Sequence, residues 1–376
     1  MILLLLLAQE ATYHFGAADE RTNVSFESKT GVMTIVGTTH KITGSVTFDP
    51  KAGTGQAKLV VPVDSLNTGL PARDRVIRMQ TWLDAKAHPA LEFAAKKGAF
   101  HAPTAWKIEG EFTMRGVARP LALDCDVREI SDALAQKFKL GAGRWIRVKT
   151  RFTLKLSDFG IKVPDQSIAQ VSDAWTVAVE IYGTTEKPAA EPPKPRDDDA
   201  PDKVYKTREI ALDAPGARWR FGMKPQHTSI AAWSGTDASA VTVTGVTMSG
   251  LAAIDGDKGA LKLSVPVESL STGIEKLDAA LHAKLGAFID FESTRAAPGR
   301  DGWEIEGNLT LNGRSRAISV KVATQEISAE VARKQKWGDQ PGLKFTATIA
   351  LKLADFGVEW HDPWTVQIDA VAMAER

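Results

Sequence analysis

The residues in this chain best suited to chemistry are seven histidines, one cysteine and an Arg-Asp pair, and their spacing argues against a reactive centre. His14, His40, His88, His101, His227, His282 and His361 form no i, i+4 pair and no cluster with Cys125, so no metal site is expected. Arg73-Asp74 could act as an acid–base couple, but the matching position later in the chain reads Leu277-Asp278, so one half alone could use it. A helix-surface salt bridge or an acidic cap is the simpler reading. Asp158-Phe159-Gly160 matches the metal-binding tripeptide of protein kinases, yet no glycine-rich phosphate loop or catalytic-loop pattern accompanies it. It ends a strand and reads as a structural turn. No Gly-x-Ser-x-Gly elbow is present. The expectation is a protein with no catalytic residue, no metal and no cofactor.

The elements that must position these residues occur twice. Val61-Pro62-Val63-Asp64-Ser65-Leu66-Asn67-Thr68-Gly69 returns as Val265-Pro266-Val267-Glu268-Ser269-Leu270-Ser271-Thr272-Gly273. Trp106-Lys107-Ile108-Glu109-Gly110 returns as Trp303-Glu304-Ile305-Glu306-Gly307, Asp158-Phe159-Gly160 as Asp355-Phe356-Gly357, and Asp173-Ala174-Trp175-Thr176-Val177 as Asp362-Pro363-Trp364-Thr365-Val366. Four blocks in one order, with a spacing that only shrinks, mark a duplicated domain with deletions in the second copy. Cys125 falls opposite Val322, as expected of a small buried hydrophobe. The expected division is a signal-like segment at 1–11, one domain over 12–185, a linker over 186–203 and a second domain over 204–376. The linker is rich in proline and charge, which keeps it extended and solvated.

Within each copy the hydrophobic period is two. Phe152, Leu154 and Leu156 face away from Lys149, Arg151 and Lys155; Trp175, Val177, Val179 and Ile181 share one face. Arg115-Gly116 and Asn312-Gly313 occupy hairpin turns. One stretch departs from this period: after Pro71, Ala72, Val76, Met79 and Leu83 recur at helical spacing, matched by Leu277, Leu281 and Leu285. The fold class expected is all-β with a short helical insertion, as two antiparallel β-barrels in tandem. With 376 residues and a net charge of +1, the chain has room for two domains and no basic excess for nucleic acid. The apolar start Met-Ile-Leu-Leu-Leu-Leu-Leu-Ala resembles the core of a secretory signal and is too short to span a bilayer, so export is expected.

Taken in order, the motifs Val61 to Gly69, Arg73-Asp74, Trp82-Leu83-Asp84, His88-Pro89-Ala90-Leu91-Glu92-Phe93, Ile108 to Gly116 and Ser157-Asp158-Phe159-Gly160-Ile161 resemble the YceI-like, lipid/polyisoprenoid-binding domain family. The resemblance covers nearly all of 12–185. The second copy keeps Ser269 to Gly273, Phe291-Glu292-Ser293, Gly307 to Gly313 and Ala354-Asp355-Phe356-Gly357-Val358, but lacks the Arg-Asp pair and the His-Pro segment. In the first copy Val76 stands where the family often has histidine. The resemblance implies an eight-stranded lipocalin-like barrel around an elongated apolar cavity, in a periplasmic or secreted protein. The ligand it implies is a polyisoprenoid or other long-chain lipid, such as a quinone or polyprenyl lipid. Burial of one isoprene unit is worth roughly 3–4 kcal/mol at about 0.8 kcal/mol per CH₂, so such a site needs no polar motif. Residues expected to line it are Val76, Met79, Leu83, Phe93, Phe112, Phe152, Phe159 and Trp175. The second copy is expected to be either a second binder or a degenerate copy kept for packing or partner contact, and a degenerate copy would hold a smaller or closed cavity. Expected partners are the lipid and, peripherally, a membrane. The competing reading is a non-catalytic envelope interaction or structural protein without a lipid ligand.

Overall fold

Alternation of apolar and polar residues carries through into long antiparallel strands in both halves of the computed structural model, which describes residues 10–49, 54–100, 104–167, 170–189, 203–236, 239–360 and 363–375. The apolar start at 1–8 and most of the linker lie outside the described residues. The first half contains β1 (Ala11–Phe15), β2 (Asn23–Lys29), β3 (Thr34–Thr39), β4 (Thr43–Asp49), β5 (Thr54–Pro62), α1 (Pro71–Arg78), β6 (Ala90–Phe100), β7 (Ala105–Met114), β8 (Val117–Ile130), α2 (Asp132–Lys137), β9 (Trp145–Lys155) and β10 (Ala174–Thr184). The second half repeats that order with β11 (Ala217–Phe221), β12 (Thr228–Thr236), β13 (Ser239–Gly245), β14 (Ser249–Asp255), β15 (Lys258–Pro266), α3 (Glu275–Leu285), β16 (Phe288–Gly299), β17 (Gly302–Leu311), β18 (Arg314–Ile327), α4 (Ala329–Lys334), β19 (Gly342–Leu351) and β20 (Trp364–Ala374).

Neighbouring strands from β4 to β10 pair in sequence, and β1 pairs with both β4 and β10, which closes a barrel of eight strands. The β2–β3 hairpin extends the sheet from the other end of β10. The second half closes in the same way through β11. Closure removes the free edges that an open sheet would expose. The β7–β8 turn places Arg115 at φ 52° and Gly116 at φ 72°, and Asn312 and Gly313 adopt 51° and 69°, the paired positive angles of a tight hairpin. Arginine is an unusual choice there. Its guanidinium donates to Gly160 O at 2.8 Å and Gln80 O at 3.0 Å, which ties the turn to two loops.

The two barrels touch through related residues. Asn67 Nδ2 donates to Ser271 Oγ at 3.4 Å, and these positions correspond in the repeat, as they would near a two-fold axis. His40 bridges the barrels, with Nδ1 on Thr22 O and Nε2 on Thr272 O. Met33 and Ile35 of the first barrel pack with Ile327, Ala332, Trp337, Val371 and Met373 of the second.

Candidate functional site

The inward faces of the first barrel do not meet at its centre. The inward side chains fall into two clusters, one around Phe15, Trp106, Cys125 and Ile181, the other around Leu66, Leu83, Phe159 and Trp175, while a third groups Trp145 and Tyr182 with Ala135 of α2. Between and beside the first two lies a cavity of about 1210 Å³, its mouth included. Alternate residues of successive strands make the wall: Leu59 and Val61 from β5, Ile108 and Phe112 from β7, Leu121, Leu123 and Cys125 from β8, Val148, Phe152 and Leu154 from β9, and Val177, Val179 and Ile181 from β10. Glu92 and Thr150 are the polar side chains among the lining residues, and the wall exposes no polar atom surface. Gly110 lets the Phe93 ring lie flat across β7, because a Cβ there would sit 2.8 Å from that ring and 2.5 Å from Ala94 O.

Five of the residues singled out by type and spacing reach this wall: Leu83, Phe93, Phe112, Phe152 and Trp175. Val76 and Met79 do not, being 41% and 57% exposed. The helical stripe through Ala72, Val76, Met79 and Leu83 is broken: α1 ends at Arg78, and its buried residues are Asp74 and Ile77. At 100° per residue, a face through Asp74 and Ile77 turns Val76 and Met79 outward. A tight turn, with Asp84 at φ 50°, then brings Leu83 back into the barrel. Phe159 is buried but stands behind the wall, edge-on to Phe112 with 5.7 Å between ring centroids. Phe26, Trp106, Cys125 and Val148 were not singled out. Period-two alternation could have found the last three, and for Phe26 the signal is Gly37 opposite it on β3, whose missing side chain leaves room for the ring.

The polar groups that could have been chemical serve structure. Asp74, 4% exposed, accepts from Thr68 N at 2.9 Å and Thr68 Oγ1 at 2.6 Å, so it fastens a loop from within and is not a surface salt bridge. Arg73 donates to Thr68 Oγ1 and Thr68 O, each at 3.0 Å, and burial pushes its guanidinium down to about 10. Asp278 repeats the fastening on Thr272 without the arginine. Burial pushes the Cys125 thiol up to about 11, which keeps it a neutral wall atom. Asp158 and Phe159 close a 3₁₀ turn that Gly160 ends at φ 71°. Neither Asp74 nor His88 lines the cavity.

The second barrel also holds an apolar cavity, of about 740 Å³, lined among others by Phe221, Leu263, Ile289, Phe291, Leu309, Ile349 and Ile368. Its core is one continuous cluster rather than two.

Comparison with known proteins returns one family twice. The model of the YceI-like domain matches residues 15–182 and 221–374. A UPF0312 protein of Pseudomonas aeruginosa is 26% identical over 162 residues, 42% of this chain and 79% of that protein. A UPF0312 protein of Vibrio cholerae is 25% identical over 165 residues, 42% of this chain and 80% of its own. Among solved structures, Burkholderia cenocepacia BcnA aligns with a TM-score of 0.38 at 20% identity, over 45% of this chain and 99% of its own. A polyisoprenoid binding domain from Saccharophagus degradans aligns with a TM-score of 0.36 at 14% identity, over 47% and 99%.

Proposed function

From the premise that the chain belongs to the YceI-like family in both of its barrels, we propose that the first barrel binds a polyisoprenoid or other long-chain lipid, as a carrier or storage protein of the bacterial cell envelope. The observation that carries this reading is the cavity of about 1210 Å³, the open space at its mouth included, with no polar atom surface on its wall. A chain of isoprene units, each worth roughly 3–4 kcal/mol on burial, would bind there by desolvation alone, less the cost of ordering the chain. What favours binding is the chemistry of the lining: Glu92 and Thr150 are its polar side chains, neither turns polar surface into the cavity, and the one thiol in the wall is held neutral. Val76, on α1, and Met79, just past its end, stand beside the end of the barrel that Leu66 and Leu83 line, where peripheral contact with a membrane would deliver a lipid. The periplasm or the exterior is the compartment that goes with this role and with an apolar leader.

Native mass spectrometry of the purified protein, followed by organic extraction, tests the reading. A stoichiometric isoprenoid or long-chain lipid is the expected result. A chain that stays empty after incubation with quinones and polyprenyl lipids would overturn it. Osmotic-shock fractionation tests the compartment, with recovery in the periplasmic fraction or the medium expected.

A further inference from the structure

The two cavities differ at one end. In the first barrel the wall continues to Phe26, Leu66, Leu83, Met114, Leu154 and Trp175, the end beside α1. The positions that correspond in the second barrel, among them Ala232, Leu270, Leu311, Leu351 and Trp364, are absent from the lining of its cavity. Two differences account for this. Trp175 is held to the side of the first barrel: its indole stacks on Phe26 at 4.8 Å with 6° between the planes, and its Nε1 donates to Ser172 O at 3.0 Å. The sheet register puts Phe26 opposite Val177, and Ala232 opposite Val366, so the second barrel has alanine where the first has the stacking ring. Trp364 therefore lacks that partner. Its Nε1 is buried without a hydrogen bond among the described residues, and its ring belongs to the solid core. In addition, α3 runs eleven residues where α1 runs eight, and its last turn seats Leu285 in the same core; Leu281 repeats Ile77, which is buried in the first barrel too.

We propose that the second barrel is a separate binding site for a compact, uncharged apolar molecule, such as a short isoprenoid, and that Trp364 and Leu285 exclude the long chain that the first barrel accepts. Its walls are apolar as in the first, so the discrimination is by length and not by headgroup. The contrast between the barrels rests on the reading of the first as a long-chain site; occupancy of the second does not.

Thr150 and Ala347 occupy corresponding positions of the repeat, opposite Cys125 and Val322, and each lines the cavity of its own barrel, so a phenylalanine at either position fills one barrel only. The test is native mass spectrometry of the full chain with farnesol, of three isoprene units, and an octaprenol, of eight. The wild-type chain is expected to take two farnesol molecules but one octaprenol. Thr150→Phe should lose the octaprenol and keep one farnesol. Ala347→Phe should keep the octaprenol and drop to one farnesol, with an unchanged far-ultraviolet dichroism spectrum that excludes unfolding as the cause. Two octaprenol molecules on the wild type, or a farnesol count that Ala347→Phe leaves at its wild-type value, overturns the proposal. A wild-type chain that takes no octaprenol, while Ala347→Phe still removes one farnesol, sinks the long-chain reading of the first barrel and leaves this one standing.

Discussion

His227 makes the second barrel sensitive to acid, by an amount that the structure sets. It lies in the short turn before β12, 1% exposed, with its ring edge-on to Trp337 at 4.7 Å between centroids. Neither ring nitrogen has a hydrogen-bond partner among the described residues. Burial, helped by the nearby Lys224 charge, pushes its pKa from 6.5 down to about 4. Each tenfold change in proton affinity is about 1.4 kcal/mol, so the full effect is about 3 kcal/mol. The unfolded chain takes up the proton below pH 6.5, while the folded barrel resists until about pH 4. Stability from this group is therefore complete above that upper value, falls as the pH drops between the two, and is wholly lost below the lower one. His227→Leu removes the titration and leaves no buried acceptor unpaired, so it should cost little at neutral pH. The assay is urea unfolding of wild type and variant at pH 7.5 and 4.5, which cancels the carboxylates common to both. The variant should lose about 2–3 kcal/mol less than wild type on acidification. Parallel losses would refute the reasoning.

Other perturbations follow from the same contacts. Arg73→Leu, which copies the second barrel, should be nearly neutral, whereas Asp74→Ala should cost about 3 kcal/mol or more in thermal or chemical unfolding, because it strands the buried Arg73 charge and the Thr68 donors. Alkylation of Cys125 in the native protein should be slow at pH 8 and rise with pH towards about 11, and a bound lipid should slow it further; rapid labelling at pH 8 would contradict a thiol held in a dry wall. Phe112→Ala should weaken lipid retention and cost about 3 kcal/mol of stability, the low end for a buried phenylalanine, since a cavity already adjoins it. Burial lowers the pKa of His40, so protonation favours the state in which the ring meets water. Acidification should part the barrels, seen as a rise in the scattering radius of gyration, and His40→Val should blunt that rise.

Period-two hydrophobicity, the repeated motifs and the turn pairs Arg115-Gly116 and Asn312-Gly313 were enough to read strands, duplication and barrel class from the chain alone, because each is a property of neighbouring residues: side chains alternate along any strand, and positive φ belongs to the turn itself. The wall residues on long strands, such as Phe93, Phe112 and Phe152, were legible for the same reason. Where helical spacing was read through Val76 and Met79 it failed, because α1 stops at Arg78 and the burial of Asp74 and Ile77 decides which face turns inward. Phe159 was buried as its type demands, yet whether a buried ring lines a void or backs a wall depends on what lies across the barrel. Likewise Asp74 is a loop fastener only because Thr68 folds over it, and Trp175 and Trp364, matched in sequence, differ because Phe26 stands beside one and Ala232 beside the other. Cavity size is a sum over side chains brought together from every strand, and that sum exists only once the barrel has closed.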